Sequence, residues 1–119
     1  MQNFTSPAAA RYNELLALME GDQELLQELI DVFLEDAPLR IDGVRHALAA
    51  RDAGELYKAA HTLKGSAGNF GAPEVVSRAI RLEALAREGD LAAAAIQFAS
   101  LEMEMDRLVG DLVMARNLP

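Results

Sequence analysis

The chain contains two histidines, His46 and His61, and only two lysines, Lys58 and Lys64. Each lysine lies three residues from His61, one on either side, and residues three apart on a helix are side-chain neighbours. An exposed neutral imidazole is a competent nucleophile near pH 7. Phosphoryl transfer needs little from a protein beyond positioning and stabilisation of charge. The residues around His61 therefore have the composition of a phosphoryl-accepting site.

A helix through His61 also places two glycines beside it. At roughly 100° per residue, Gly65 and Gly68 fall within about 40° of His61. The apolar residues of the segment all fall beyond about 100°, so the imidazole points away from the core. These residues are Leu56, Ala59, Ala60, Leu63, Ala67 and Phe70. A glycine costs about 1 kcal/mol relative to alanine inside a helix, and the bare backbone gives another surface close access to the imidazole.

The segment from Ala60 to Ala72 closely resembles the signature of histidine-containing phosphotransfer (HPt) domains, His-x-x-Lys-Gly-Ser followed by Asn-x-Gly-Ala. The resemblance extends over nearly the whole chain from Asp22 onward. It implies a four-helix bundle in which His61 accepts a phosphoryl group from a phospho-aspartate on a receiver domain. An aspartate on a second receiver, often that of a response regulator, would then take the group. A hybrid sensor histidine kinase is the expected source.

The resemblance implies roles for the residues near His61. Lys64 would stabilise the charge of the phosphoryl group, and Gly65 would leave room for the receiver. On the helical wheel Ser66 points towards the core, where its hydroxyl would bond a carbonyl of the preceding turn. The remaining candidates are Lys58, Gly68 and Asn69 for docking of the partner, with Ser66 and Gly71 for structural support.

Composition excludes several other sites and partners. The 119-residue chain has no cysteine, so thiolate metal sites and cysteine nucleophiles are excluded. Its formal net charge is −8, whereas nucleic acids and anionic membranes bind clustered Lys and Arg. Nucleotide-binding, metalloprotease and di-iron motifs do not occur. We therefore expect a phosphocarrier with no metal, no cofactor and no kinase site; any magnesium would belong to the receiver.

The sequence also bears on localisation. No apolar run approaches the roughly 20 residues that span a bilayer. The first four residues, Met1-Gln2-Asn3-Phe4, lack the basic and apolar segments of a signal peptide. We expect a cytoplasmic monomer. The negative charge is concentrated early in the chain, with eight acidic residues and no basic residue between Tyr12 and Leu39.

The composition predicts an all-α fold. Alanine and leucine make up 40 of the 119 residues, and both favour helix over strand. The first helix is predicted from Pro7 to about Met19, with Ser6 as its N-cap. Asp22 would cap a long second helix, with a kink or short break at Pro38.

Three more helices complete the pattern. The turn Arg51-Asp52-Ala53-Gly54 precedes the third helix, which ends near Gly71. Pro73 starts the fourth, and Gly89-Asp90 separates it from the fifth. The predicted buried face of the fourth helix is Val76, Ala79, Ile80, Leu82 and Ala86. Short connections make successive helices antiparallel. We expect one domain over 1–119, an up-down-up-down bundle over 22–116 with a capping helix within 1–20.

Two other functions remain open from the sequence. One is a helical adaptor that binds a receiver or kinase without carrying phosphate. The other is a receiver phosphatase, in which His61 or Asn69 would position water. Among the other charged residues, we interpret His46 as a surface residue. Arg78 and Arg81 are interpreted as a solvated face rather than as receiver contacts.

Overall fold

The computed structural model describes residues 7–117, and the predicted cap Ser6 lies outside them. Within that range the fold is all-α, as predicted. The five helices are α1 Pro7–Leu18, α2 Gln23–Ala49, α3 Ala53–Gly68, α4 Pro73–Glu88 and α5 Leu91–Arg116. The four long helices form the bundle, and α1 packs against α5 and α2 at one end. Because α3 packs mainly on α2 and α4, it lies diagonally across the bundle from α5.

Three of the helices begin at an aspartate that caps them. The side chains of Asp22, Asp52 and Asp90 each accept a hydrogen bond from the backbone N–H three residues later, at 3.0 Å. Each bond satisfies one of the amide groups that a helix N-terminus leaves without a partner. Helix α4 instead starts at Pro73, and its C-cap is Gly89, whose φ of 72° is left-handed. The starts predicted at Asp22, Pro73 and Asp90 and the stop predicted at Gly89 are confirmed.

Some predicted boundaries differ from the structure. Helix α2 continues through Pro38 without a break, because residues on both sides of the proline pack into one core. Gly54 belongs to the first turn of α3 rather than to the preceding loop. Helix α3 ends at Gly68 with Asn69 as its C-cap. Gly71, with φ of 63°, lies in the turn that follows, and only glycine adopts that conformation without strain.

The core draws on every helix, but the buried face of α4 differs from the prediction. Ile80 is 51% exposed and Val76 is only half-buried. Their predicted places are taken by Val75, Leu85 and the carboxylate-bearing Glu83. The apolar pattern of the sequence predicts the wrong face for α4, because the inward-facing position 83 carries a glutamate, which such a pattern assigns to the surface. The buried residues of α4 are Val75, Ala79, Leu82, Glu83, Leu85 and Ala86.

Over residues 7–117, no helix combines enough length with enough apolar character to cross a membrane.

Candidate functional site

His61 lies in the middle of α3 with its side chain 60% exposed. Its helical neighbours Ala60 and Leu63 are fully buried against the rest of the bundle. Since these residues lie on the opposite side of the helix, the core fixes the rotation of α3 and thereby directs the imidazole outward. The orientation predicted from the sequence is confirmed.

The imidazole is held from the inside by Glu83 of α4. Only 4% of Glu83 is exposed. Its Oε2 lies 3.0 Å from Nδ1 of His61, and its Oε1 lies 2.8 Å from Nζ of Lys64. An ionised carboxylate only accepts hydrogen bonds, so Nδ1 is the nitrogen that donates. The other nitrogen, Nε2, then keeps its lone pair in the neutral ring.

The charge of Glu83 is set by two opposing effects. Burial by itself raises the pKa of this carboxyl group, because the charged form loses its hydration. The hydrogen bonds and charges of Lys64 and His61 outweigh burial, and the pKa of Glu83 is lowered from its ordinary 4.5. The group is therefore a carboxylate at neutral pH, and it places a negative charge directly behind the imidazole.

Tyr57 supports the imidazole from one helical turn earlier. Its ring stacks on that of His61, with centroids 6.0 Å apart and an interplanar angle of 14°. The Tyr57 hydroxyl accepts a hydrogen bond of 2.9 Å from Nη2 of Arg87, and the Arg87 guanidinium lies 4.9 Å from the tyrosine ring centroid. Together with Glu83, these contacts restrict the imidazole to one orientation.

The two lysines beside His61 are not equivalent. Lys64 is about two-thirds buried and bonds Glu83. Lys58 is exposed and pairs with Glu55 of its own helix at 3.4 Å. An exposed pair of this kind contributes little to stability. The structure therefore brings Lys64, but not Lys58, into the network around the imidazole.

The two predicted glycines beside His61 form an open strip. A Cβ atom built on Gly65 or on Gly68 meets no other atom within 4 Å. Neither residue is therefore needed to pack the bundle. Asn69, also predicted to dock a partner, lies exposed at the end of this strip.

Ser66 is half-buried beyond the strip. The hydroxyl that bonds a carbonyl of the preceding turn in this helix is that of Thr62, which donates to Lys58 O at 3.0 Å. The role predicted for the Ser66 hydroxyl stays a prediction.

A groove between α2 and α3 runs beside the imidazole face. Its α3 wall includes Lys58 and Thr62, and its α2 wall includes Leu39, Gly43 and His46. Leu39 is largely exposed there. His46 is exposed as predicted and lies in this groove, fifteen residues from His61 in the sequence.

Comparison with known proteins identifies the family of this chain. The family model described as "Hpt domain" matches residues 28–111, more than half of the chain. The chain belongs to the Hpt domain family. The crystal structure of histidine-containing phosphotransfer protein B (HptB) from Pseudomonas aeruginosa PAO1 superposes with a TM-score of 0.78 and 28% sequence identity. The match covers 94% of this chain and 96% of that one. A search of curated proteins finds no match.

Membership of the Hpt family supports a role in histidine phosphotransfer within phosphorelays. The fold of the family is the helical bundle found here. Its members are phosphocarriers that interact with receiver domains and kinases.

The residue of this Hpt domain that the sequence analysis missed is Glu83. Its position in the sequence could have indicated that it is buried, because it lies four residues after Ala79 and three before Ala86, on the apolar face of α4. A carboxylate at such a position must find a cation or a donor on another helix. His61 and Lys64 are that donor and that cation.

The other candidates lie away from this network. Arg78 bonds Gln97 of α5 at 3.4 Å, and Arg81 is exposed near it. Both therefore belong to the α4–α5 side of the Hpt domain rather than to the imidazole face. Across residues 7–117, no group of three or more His, Cys, Asp or Glu side chains is placed to hold a metal ion.

Proposed function

We propose that this Hpt domain accepts a phosphoryl group on Nε2 of His61 from the phospho-aspartate of one receiver domain. The aspartate of another receiver domain then takes the group. The observation that carries this assignment is the bond between the buried Glu83 carboxylate and Nδ1 of an otherwise exposed imidazole. That bond keeps the proton on Nδ1 and leaves the nucleophilic nitrogen facing the partner.

The transfer requires no general base, because Nε2 of His61 carries no proton before it attacks. The Nε2 lone pair of His61 attacks phosphorus, the N–P bond forms, and the P–O bond of the acyl phosphate breaks. The receiver aspartate leaves as a carboxylate. The ring keeps its Nδ1 proton and becomes positively charged, directly against the negative charge of Glu83. In the second step an aspartate of the other receiver attacks phosphorus, the N–P bond breaks, and the neutral ring is restored.

Lys64 has two roles in this proposal. In the unphosphorylated domain its ammonium group holds Oε1 of Glu83 at 2.8 Å and so fixes the carboxylate behind the ring. An ammonium has three donors, and those not used by Glu83 are available to oxygens of the phosphoryl group on His61. Lys64 thereby supports both the nucleophile and the charge of the product.

The receiver docks over the open strip and the groove between α2 and α3. Gly65 and Gly68 let its backbone approach the imidazole, since no side chain stands between them and solvent. Leu39 in the groove and Ile80 on α4 offer exposed apolar contacts. Lys58 and Asn69 lie at the edge of this surface as polar contacts. We further propose that the chain is one domain over 1–119, has no kinase site of its own and works in the cytoplasm.

A transfer experiment tests the assignment. The purified chain is mixed with receivers carrying labelled phospho-aspartate, and the labelled chain is treated with acid and with alkali. We expect acid-labile, alkali-stable label on the natural chain and none on a His61→Gln variant. A His46→Gln variant is the matched control, because the other histidine is also exposed but, within residues 7–117, its ring makes no hydrogen bond to a carboxylate. It should accept label.

Other outcomes point to other functions. Equal label on His61→Gln and on the natural chain would place the phosphoryl group elsewhere. Binding of several receivers without label would indicate an adaptor. Release of inorganic phosphate without a phosphohistidine would indicate a receiver phosphatase.

A further inference from the structure

Two side-chain contacts join α3 to α4 at the imidazole face. In the first, the carboxylate of Glu83 bonds His61. In the second, Nη2 of Arg87 donates a hydrogen bond of 2.9 Å to the hydroxyl of Tyr57. Tyr57 lies four residues before His61 on α3, and Arg87 lies four residues after Glu83 on α4. The second contact is thus one helical turn from the first on both helices, and the proposed function assigns a role only to the first.

The imidazole of His61 leans over Tyr57. Side chains on a helix point towards its N-terminus, so His61 covers the turn that contains the tyrosine. The two rings are stacked, with an interplanar angle of 14°. Gly65 and Gly68 lie on the C-terminal side of His61, where an added Cβ atom would meet no neighbour within 4 Å. The imidazole is therefore supported on its N-terminal side and open on its C-terminal side.

The hydrogen bond to Glu83 does not by itself fix the plane of the imidazole. It holds one ring atom, Nδ1, at 3.0 Å from Oε2. The torsion that turns a histidine ring about its bond to Cβ has a broad energy minimum, so the ring can still tilt about the hydrogen bond or swing away from it. A parallel ring against one face limits this movement. The separation of the two centroids, 6.0 Å, lies in the range over which aromatic rings attract each other.

Arg87 holds Tyr57 in the position that the stack requires. Besides bonding the hydroxyl, its guanidinium lies 4.9 Å from the centroid of the tyrosine ring. Within residues 7–117, Arg87 forms no salt bridge, whereas most of the other lysines and arginines there pair with a carboxylate. The charge of Arg87 therefore acts on the tyrosine, through the hydrogen bond and the attraction between a cation and an aromatic ring.

We propose that Tyr57 is a positioning residue for phosphoryl transfer at His61 and that Arg87 fixes Tyr57 in place. The inference rests on the proposed function, because it takes His61 as the residue that accepts the phosphoryl group. Transfer is fastest when the reacting atoms are held in the geometry of attack. Tyr57 limits the tilt of the imidazole and so keeps Nε2 in one direction relative to a receiver that docks over the open strip.

Single-turnover transfer from a phosphorylated receiver separates positioning from docking. Tyr57→Leu removes the stacked ring but keeps an apolar side chain. Its maximal rate should fall about three- to tenfold, the effect of losing one aromatic contact. The receiver concentration that gives half the maximal rate should change by less than about twofold. Arg81→Gln is the matched control, because Arg81 is also an exposed arginine of α4 but lies on the α5 side of that helix. It should transfer at the natural rate.

Two further variants test the role of Arg87, because they break the same contact from its two ends. Tyr57→Phe removes the hydroxyl but keeps the stacked ring, and Arg87→Gln removes the guanidinium. Each should lower the maximal rate by about two- to threefold. The double variant should be little slower than either single variant, since both lose one shared contact. Losses that multiply in the double variant would contradict the coupling of Arg87 to Tyr57.

The nitrogens of the imidazole give a readout that needs no receiver. In a chain that carries His46→Gln, His61 is the remaining histidine. Its ¹⁵N chemical shifts at about pH 8, where an ordinary imidazole is largely neutral, report which ring nitrogen holds the proton. We expect the proton on Nδ1 when Tyr57 is present. With Tyr57→Leu we expect a mixture of the two tautomers, because a ring that is free to swing spends part of its time away from Glu83.

Either of two results would overturn the proposal. One is a Tyr57→Leu variant that transfers at the natural maximal rate, including the case in which only the half-saturating receiver concentration rises and Tyr57 is a docking contact. The other is a set of ¹⁵N shifts that Tyr57→Leu leaves unaltered. If receivers do not label the natural chain, the proposed function fails, whereas the ¹⁵N comparison still tests whether Tyr57 positions the ring. Helical circular dichroism checks the fold of each variant, and Tyr57→Phe is the mildest of them.

Discussion

A buried carboxylate, Glu83, connects the imidazole of His61 to the rest of the bundle. A buried charge is costly unless it is paired and hydrogen-bonded. Glu83 meets that condition with one oxygen on His61 and the other on Lys64. The sequence sufficed to predict that His61 is exposed and that Lys64 is its neighbour, because both depend on spacing within one helix. The partner of the imidazole is 22 residues away on another helix, and no pattern within α3 indicates it.

Replacing the carboxylate by an amide tests this arrangement. In Glu83→Gln the amide oxygen still accepts the Nδ1 hydrogen bond, but no negative charge offsets the positive ring formed during transfer. A hydrogen bond to a charged group is worth about 1.5–3 kcal/mol, so we expect about a tenfold or greater loss in the rate of transfer. Single-turnover transfer from a phosphorylated receiver at pH 7 measures it. Glu28→Gln, the same change at an exposed position of α2, should leave the rate unaltered.

Acid denaturation gives the same variant a second readout. Because the fold lowers the pKa of Glu83, its carboxylate stabilises the folded state above the ordinary value of 4.5. That contribution is lost as the pH falls through the lower folded value. The natural chain should therefore lose more stability than Glu83→Gln between pH 7 and pH 3, as measured by urea unfolding. A pH-independent difference between the two proteins would show that Lys64 and His61 do not hold this carboxylate.

At the scale of the elements, capping residues were better predictors than apolar patterns. Asp22, Asp90 and Pro73 mark helix starts because each acts on the backbone next to it. The buried face of α4 was misplaced towards Ile80 because the apolar pattern treats every acid as exposed. Glu83 is an exception, because it is buried and paired with His61 and Lys64 of α3. Local chemistry could thus be predicted from the sequence, whereas the rotation of α4 depends on a tertiary contact.

The open strip of α3 leads to a prediction about access. Gly65→Ala and Gly65→Leu add a Cβ atom at a position where it meets no neighbouring atom within 4 Å. Each should leave the free energy of unfolding unchanged or raise it by up to about 1 kcal/mol. Transfer should slow as the side chain grows, because the receiver can no longer approach the imidazole closely. Thermal unfolding followed by circular dichroism and single-turnover transfer would be measured on both variants. Unchanged transfer in a fully helical Gly65→Leu protein would remove the role assigned to this glycine.

At the scale of the whole molecule, the surfaces of the bundle differ in charge. The imidazole face lies on α3, whereas the acidic residues of the first part of the chain are concentrated in the first half of α2 and the turn before it. Helix α1 precedes the segment that the Hpt family model matches, residues 28–111. It is nevertheless part of the same core, because Leu15 is buried among residues of the bundle. Arg11 of α1 also pairs with Asp111 of α5 at 3.4 Å.

The contribution of α1 to the bundle can be measured with two leucines of the same helix. Leu15 is 1% exposed, whereas Leu18 is 64% exposed. Leu15→Ala should lower the free energy of unfolding by about 2–5 kcal/mol, because it leaves a cavity against the core. Leu18→Ala should change it by no more than about 0.5 kcal/mol. Urea unfolding of both variants gives the comparison. If the two variants are equally stable, α1 does not pack on the bundle in solution, and the core begins at α2.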